Sequence, residues 1–209
     1  MAAPITHIVL TEKVFNKHFS DKKRKDFYIG TVFSDIRHLG VVDRKSTHFL
    51  LQELELEDIK KEQNSFTSGL KLHSLVDDIR ERFIESKNVY SLIPESKYKT
   101  QILKLLEDGL YYDKVNNWKE FIKFLDNILA EELSFNIQEK DIRRWHNILQ
   151  NYFSKKPDKQ VRENLAKELN FSEEGQREIV NLVEQIKSNE KIKQIIEEFY
   201  NNFESFLIN

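Results

Sequence analysis

The sequence predicts an all-α protein, a single multi-helix bundle, and three observations carry that expectation. Turn formers are scarce, with five Gly and three Pro in 209 residues, too few for the many tight turns that sheets require. Apolar residues recur at spacings of three and four along most of the chain, with Glu and Lys on the remaining faces, the pattern of helices that bury one stripe. A hydrophobic content of 39% beside 33% charged residues supports a folded core rather than disorder. About nine or ten helices are expected from the periodicity.

The elements follow in chain order. A first helix is expected over about Thr6 to Phe19, with Thr6 as a candidate cap. A second, apolar helix covers Phe27 to Phe33 and runs into Ser34-Asp35-Ile36-Arg37. Residues 36–64 are the least regular part, with Gly40, the pair Val41-Val42 and an acidic stretch from Glu53 to Asp58; loop and short helices are expected there. Ser65 to about Ser86 reads as one long helix. Pro94 and Pro157 mark breaks. Residues 117–133 read as a helix burying Trp118, Phe121, Ile122, Leu125, Ile128 and Leu129, and Ile137 to Phe153 as another burying Ile142, Trp145, Leu149 and Tyr152. Three more are expected near 158–170, 173–187 and 189–207. Because the linker SKKPDK around Pro157 is short, residues 1–115, which hold the candidate chemistry, and the helices of 116–209 are expected to pack as one domain.

Composition removes several classes of function. Lys+Arg 33 against Asp+Glu 35 gives a net charge of −2, so no global positive field attracts nucleic acid. The absence of Cys excludes disulfides, a thiolate nucleophile and Cys-ligated metals. No apolar run reaches the roughly 18 residues of a membrane span, and the start MAAPITHIVLTEK lacks a basic segment before its short apolar run, so a cytoplasmic location is expected. No Walker or Gly-x-Ser-x-Gly motif is present, and no His is followed by Asp, which leaves NTP binding, serine hydrolysis and His-Asp phosphodiesterase chemistry without support.

Any metal must be held by carboxylates and the six His. On the long helix, His73 and Asp77 lie one turn apart, with Arg80 in the same broad apolar arc and Gly69 one turn before His73. A buried charge requires a partner or a metal, the i, i+4 spacing suits two ligands of one ion, and Gly69 admits a close backbone or ligand. The plainer alternative pairs Asp77 with Arg80 or a distant Arg. His7 falls on the apolar side of the first helix beside Leu10 and Val14, where a hydrogen-bonded core His is the alternative. Asp35 sits just past the second helix, as a ligand or as a partner of Arg37 or Arg44, and His48 follows thirteen residues later, as a ligand or a solvated loop residue. The set His7, Asp35, His48, His73 and Asp77 offers N and O donors, suited to Zn²⁺, with Mn²⁺ or Fe²⁺ as alternatives.

In this order and spacing the residues resemble the zinc-dependent phospholipase C family, an all-α fold related to the three-zinc single-strand nucleases. The family shows an early His, an apolar helix ending in Gly-x-x-x-Pro-Asp-Ile, a His about 13 or 14 residues on, and Phe-x-x-Gly-x-x-x-His-x-x-x-Asp on a long helix. This chain has Gly30-Thr31-Val32-Phe33-Ser34-Asp35-Ile36, with Ser34 where Pro is usual, then Thr47-His48-Phe49, then Phe66 through Gly69 and His73 to Asp77. The resemblance covers roughly residues 1–80, extends toward Asp113 through LLEDGLYYDK, and does not reach the C-terminal third. It implies a phosphodiester hydrolase in which metal-bound water attacks phosphorus. Arg80, Arg37 or Arg44 would neutralise phosphoryl charge, and Asp35 or Asp77 would act as general base when not bridging metal. A small phosphoester or a phospholipid is the implied substrate.

The chain also departs from the family. It has no N-terminal Trp ligand and no His between Asp77 and Trp145. His146-x-x-x-Gln150 has the spacing of the family's His-x-x-x-Glu pair but ends in Gln and lies far downstream beside Trp145, and Glu107 and Asp108 are acids in the right general region, with an exposed acidic patch as the alternative. One or two ions are therefore expected, not three. A second reading is a helical interaction protein that keeps the fold and part of the site but is catalytically silent. A third is peripheral membrane contact through the basic cluster Phe19 to Lys25 beside Phe27-Tyr28, against a solvated turn between two helices.

Overall fold

In a computed structural model that describes residues 3–49 and 54–208, the chain is helical throughout, with twelve α-helices and no strand among the described residues. The N-terminal half contains α1 (Pro4–His18), α2 (Arg24–Phe33), α3 (Arg44–Thr47), α4 (Leu56–Lys61), α5 (Ser65–Ser86) and α6 (Lys99–Tyr111). The C-terminal half contains α7 (Trp118–Phe124), α8 (Ala130–Leu133), α9 (Glu139–Phe153), α10 (Lys159–Glu168), α11 (Glu173–Ile186) and α12 (Glu190–Ile208). Short 3₁₀ turns at Ser34–Leu39, Val89–Leu92 and Tyr112–Lys114 link some of them. No helix among the described residues is long and apolar enough to cross a membrane.

The long helix α5 forms the centre, and two glycines set its position. A Cβ on Gly69 would lie 2.1 Å from the Phe27 carbonyl oxygen, and one on Gly30 would lie 2.1 Å from the Phe66 carbonyl oxygen. The α2 and α5 backbones therefore touch directly, an approach that any side chain at either position forbids. Asn64 caps α5 by accepting from the Thr67 N–H. Helices α1 and α12 pack against this pair, α6 lies on α1 and reaches α5 through the Arg80–Glu107 ion pair, α7 lies on α2, and α11 lies on α6. One hydrophobic cluster runs from Ile5 to Leu207, so the three helices after Pro157 fold back onto the body, with α12 against α1 and α5.

Three expectations are corrected. Thr6 does not cap the first helix, which begins at Pro4 with Ala3 as its cap residue. The free N–H groups of Ile5 and Thr6 donate instead to Asp108 of α6, at 3.3 and 2.7 Å, and the Thr6 hydroxyl donates to it as well. Residues 117–133 are two short helices. The Leu125 carbonyl accepts from His146, and the Leu129 N–H donates to Glu132, so the groups that would continue the helix are taken by other partners; Asp126 and Asn127 between them also favour turns. The helices number more than nine or ten because this segment splits and the irregular region 36–64 contains the short α3 and α4. Glu53, the start of the acidic stretch, lies outside the described residues.

Candidate metal centre

The contact between α2 and α5 brings His73 to the end of α2, where its Nδ1 donates to the Thr31 carbonyl at 2.8 Å. That bond fixes the ring and leaves Nε2 facing the interior without a hydrogen-bond partner. His48 is oriented in the same way. The Thr47 hydroxyl gives its one proton to the Ser34 carbonyl, so at 3.1 Å it accepts from His48 Nδ1, and His48 Nε2 is left without a hydrogen-bond partner. The loop carrying His48 is tied to α5 where the Phe49 N–H donates to Ser74 Oγ. His7 stands on α1 next to the Asp108 anchor, and neither of its ring nitrogens has a hydrogen-bond partner.

These rings converge. His7 and His73 stack with centroids 3.9 Å apart, and His48 meets His73 edge to face at 4.9 Å. Around Asp77, His7 Nε2 lies 3.3 Å from Oδ1, while His73 Nε2 and His48 Nε2 lie 3.5 and 3.8 Å from Oδ2. Two triads have donor atoms within 4.8 Å of one another, His7 with Asp35 and His73, and His48 with His73 and Asp77. All five candidate ligands therefore meet in one place. The carboxylate distances are too long for charge-assisted hydrogen bonds, roughly 2.7–2.9 Å. They match the roughly 3.4 Å edge between two N or O ligands that each lie about 2.1 Å from a tetrahedral ion. N and O donors at this spacing could hold a metal ion.

Electrostatics point the same way. Burial, reinforced by the charge of His73, lowers His7 to about 4 and His48 to about 3, so both rings are neutral near pH 7. Burial also opposes charge on His73, but Asp77 outweighs it and raises this one imidazole. Burial would raise Asp35 and Asp77; His38 and His73 outweigh it at Asp35, and His73 and His7 outweigh it at Asp77, so both stay ionised. Asp77 favours a proton on His73, and a cation held by the cluster would compete with that proton.

Other expected residues are placed differently. Arg80 is fully buried, but its fork is held by Glu107, with Nε and Nη2 donating at 2.8 and 2.9 Å, while Nη1 donates to Glu81. Its planned role at the phosphoryl group is thus replaced by a structural ion pair, because a bidentate carboxylate satisfies a guanidinium better than a distant ligand does. Glu107 and Asp108 are correspondingly engaged, Asp108 also by the Tyr152 hydroxyl, and burial raises Asp108 to about 6. His146 has oxygens on both sides, Leu125 O at 3.0 Å from Nδ1 and Glu132 Oε1 at 2.7 Å from Nε2. Asp35 lies 3.4 Å from His38 Nε2 and 3.6 Å from Arg37, and Arg44 is exposed. In the basic turn, Phe19, Phe27 and Tyr28 point into the core, and Lys22 donates to the Lys60 and Glu62 carbonyls.

Reading the sequence missed the groups that orient the rings, Thr31 and Thr47, and it missed Lys104. Lys104 of α6 is 7% exposed and lines a cavity of about 110 Å³ together with Asp35 and His38. Its only signal in sequence is a lysine inside the apolar run Ile102-Leu103-Lys104-Leu105-Leu106. No protein-family model, curated protein or solved structure matches the chain.

Proposed function

We propose that this protein is a metal-dependent phosphodiester hydrolase of the kind the resemblance to zinc-dependent phospholipase C implies. One observation carries the reading: three buried imidazole Nε2 atoms, none with a hydrogen-bond partner of its own, lie 3.3–3.8 Å from the Asp77 oxygens. Such spacing is poor for hydrogen bonding and suits the ligands of an ion held by either triad. His7, Asp35, His48, His73 and Asp77 form the donor set, for Zn²⁺ first and Mn²⁺ or Fe²⁺ next. One nitrogen lone pair binds one ion, and both triads contain His73, so one ion is the count this set supports best. A second would have to bridge through the two Asp77 oxygens, which face different imidazoles. When bound, such an ion acidifies water and polarises a phosphoryl oxygen.

The chain's own residues have narrower roles. Thr31 and Thr47 hold two imidazoles in the tautomer that ligates. Asp35 and Asp77 are held well below the usual carboxylate range, which suits ligands better than general bases, so both are assigned as ligands. A cytoplasmic setting belongs to the same proposal.

The test is metal content after zinc reconstitution, combined with hydrolysis of bis-p-nitrophenyl phosphate with and without EDTA. The expected result is bound zinc and EDTA-sensitive hydrolysis. Failure to bind Zn, Mn or Fe sinks the proposal. Bound zinc without hydrolysis leaves the second reading, a silent interaction protein, which the near-complete enclosure of the imidazoles favours.

A further inference from the structure

A cavity of about 110 Å³ shares Asp35 with the cluster and has a mixed lining. Much of its lining is apolar and comes from the C-terminal helices and their links, with Leu165, Ala166, Leu169, Phe171 and Ile179. Its charged or titratable lining is Asp35, His38 and Lys104. The Lys104 ammonium is unusual. The Lys104 side chain as a whole is 7% exposed, and among the described residues no hydrogen bond or ion pair engages its ammonium. An enclosed cation gains from an anionic partner, so this one in the cavity wall is a ready contact for an anion.

We propose that this cavity holds the apolar group of a small organic phosphoester, with Lys104 as the residue that selects its negative charge. This rests on the hydrolase reading for the word substrate, and it narrows the class. A cavity of about 150 Å³ lined by apolar side chains takes one benzene ring, so the space here is of the order of a short alkyl group or one small ring that reaches its open side. Burial lowers the proton affinity of Lys104, and the charges of Asp35 and Asp77 partly offset that.

Binding to the full chain is measured by calorimetry with phenyl phosphate, inorganic phosphate, phenol and benzoate, in EDTA-stripped and zinc-loaded protein. Phenyl phosphate is expected to bind at least tenfold more tightly than phosphate or phenol in the stripped protein, and more tightly still with zinc. Lys104→Met should remove at least tenfold of that affinity and raise the melting temperature, since an unpaired buried charge is lost. Ala166→Phe, which fills the cavity, should abolish the advantage of phenyl phosphate over phosphate. Equal affinities for phenyl phosphate and phosphate, or no effect of Lys104→Met in a folded variant, would overturn the inference; benzoate binding as tightly as phenyl phosphate would overturn the phosphoryl assignment. Selective binding in stripped protein without zinc-dependent hydrolysis upholds the cavity and defeats the hydrolase reading. Zinc-dependent hydrolysis indifferent to Lys104→Met and to the phenyl group does the reverse.

Discussion

This protein buries imidazoles beside carboxylates in two places, and the two are finished differently. Around His146 both ring nitrogens have an oxygen at hydrogen-bond distance, and the Glu132 partner also accepts from the Leu129 N–H at 2.7 Å. Around His73, three rings turn toward Asp77 with Nε2 atoms that no hydrogen bond satisfies. Buried polar groups are almost always satisfied. A pair with every valence filled clasps a loop, here the break between α7 and α8. A cluster whose imidazole Nε2 atoms have no hydrogen-bond partner offers donors that a metal ion could take.

Mutations and metal sharpen that contrast. The largest stability effect is expected from Glu132→Ala, which leaves a His146 nitrogen and the Leu129 N–H unpaired. At roughly 1–3 kcal/mol for each stranded group, urea unfolding should show a loss of about 3 kcal/mol or more, with the response to zinc unchanged. The open cluster should behave in the opposite way. Zinc at 100-fold over its Kd stabilises by about 2.7 kcal/mol, or roughly 5–11 °C in a chain of this length. His73→Ala should abolish that zinc-minus-EDTA gap in melting temperature; a gap that survives would show that His73 is not a ligand.

A smaller effect separates orientation from ligation. Thr47→Val removes the acceptor of His48 Nδ1 but no donor of the metal set. Loss of such a supporting partner weakens metal affinity about 10–100-fold, which competition with a chromophoric chelator would read. An unchanged affinity would mean that the tautomer of His48 is not held by Thr47.

The gentlest probe is pH in metal-free protein. His7 and His48 are lowered to about 4 and 3, so the unfolded chain binds more protons than the folded one below the ordinary histidine value of about 6.5. Their contribution is complete above that pH and is lost as pH falls through the window. His73 is raised, so its contribution is complete below about 6.5 and is lost as pH rises through its folded value. Stability should therefore peak near pH 6.5, with slopes on the order of 1 kcal/mol per pH unit for each proton exchanged. Zinc should remove the alkaline decline by replacing the His73 proton. A flat profile from pH 5 to 8 would contradict both shifts.

Much of this site is local in sequence. Gly69, His73 and Asp77 lie on successive turns of one helix, so their common face follows from helical periodicity alone. The helices from Glu139 onward also match their periodicity, because each carries a continuous apolar stripe. Prediction failed where distant groups took over local bonds. Thr6 serves Asp108 across 102 residues, and Leu125 gives its carbonyl to His146. Arg80 lies in the apolar arc as expected, yet Glu107 from another helix determines its role.

By itself, then, the sequence determined the helical class, the stripe that buries each long helix, and the donor types able to hold a metal, because these depend on spacing within a segment. Only the tertiary structure decided that His7, Asp35 and His48 meet the His73 turn, that Arg80 is closed off by Glu107, and that Lys104 faces a cavity walled by the last third of the chain. Those outcomes depend on how helices separated by tens of residues pack, and in particular on the direct backbone contact that Gly30 and Gly69 permit.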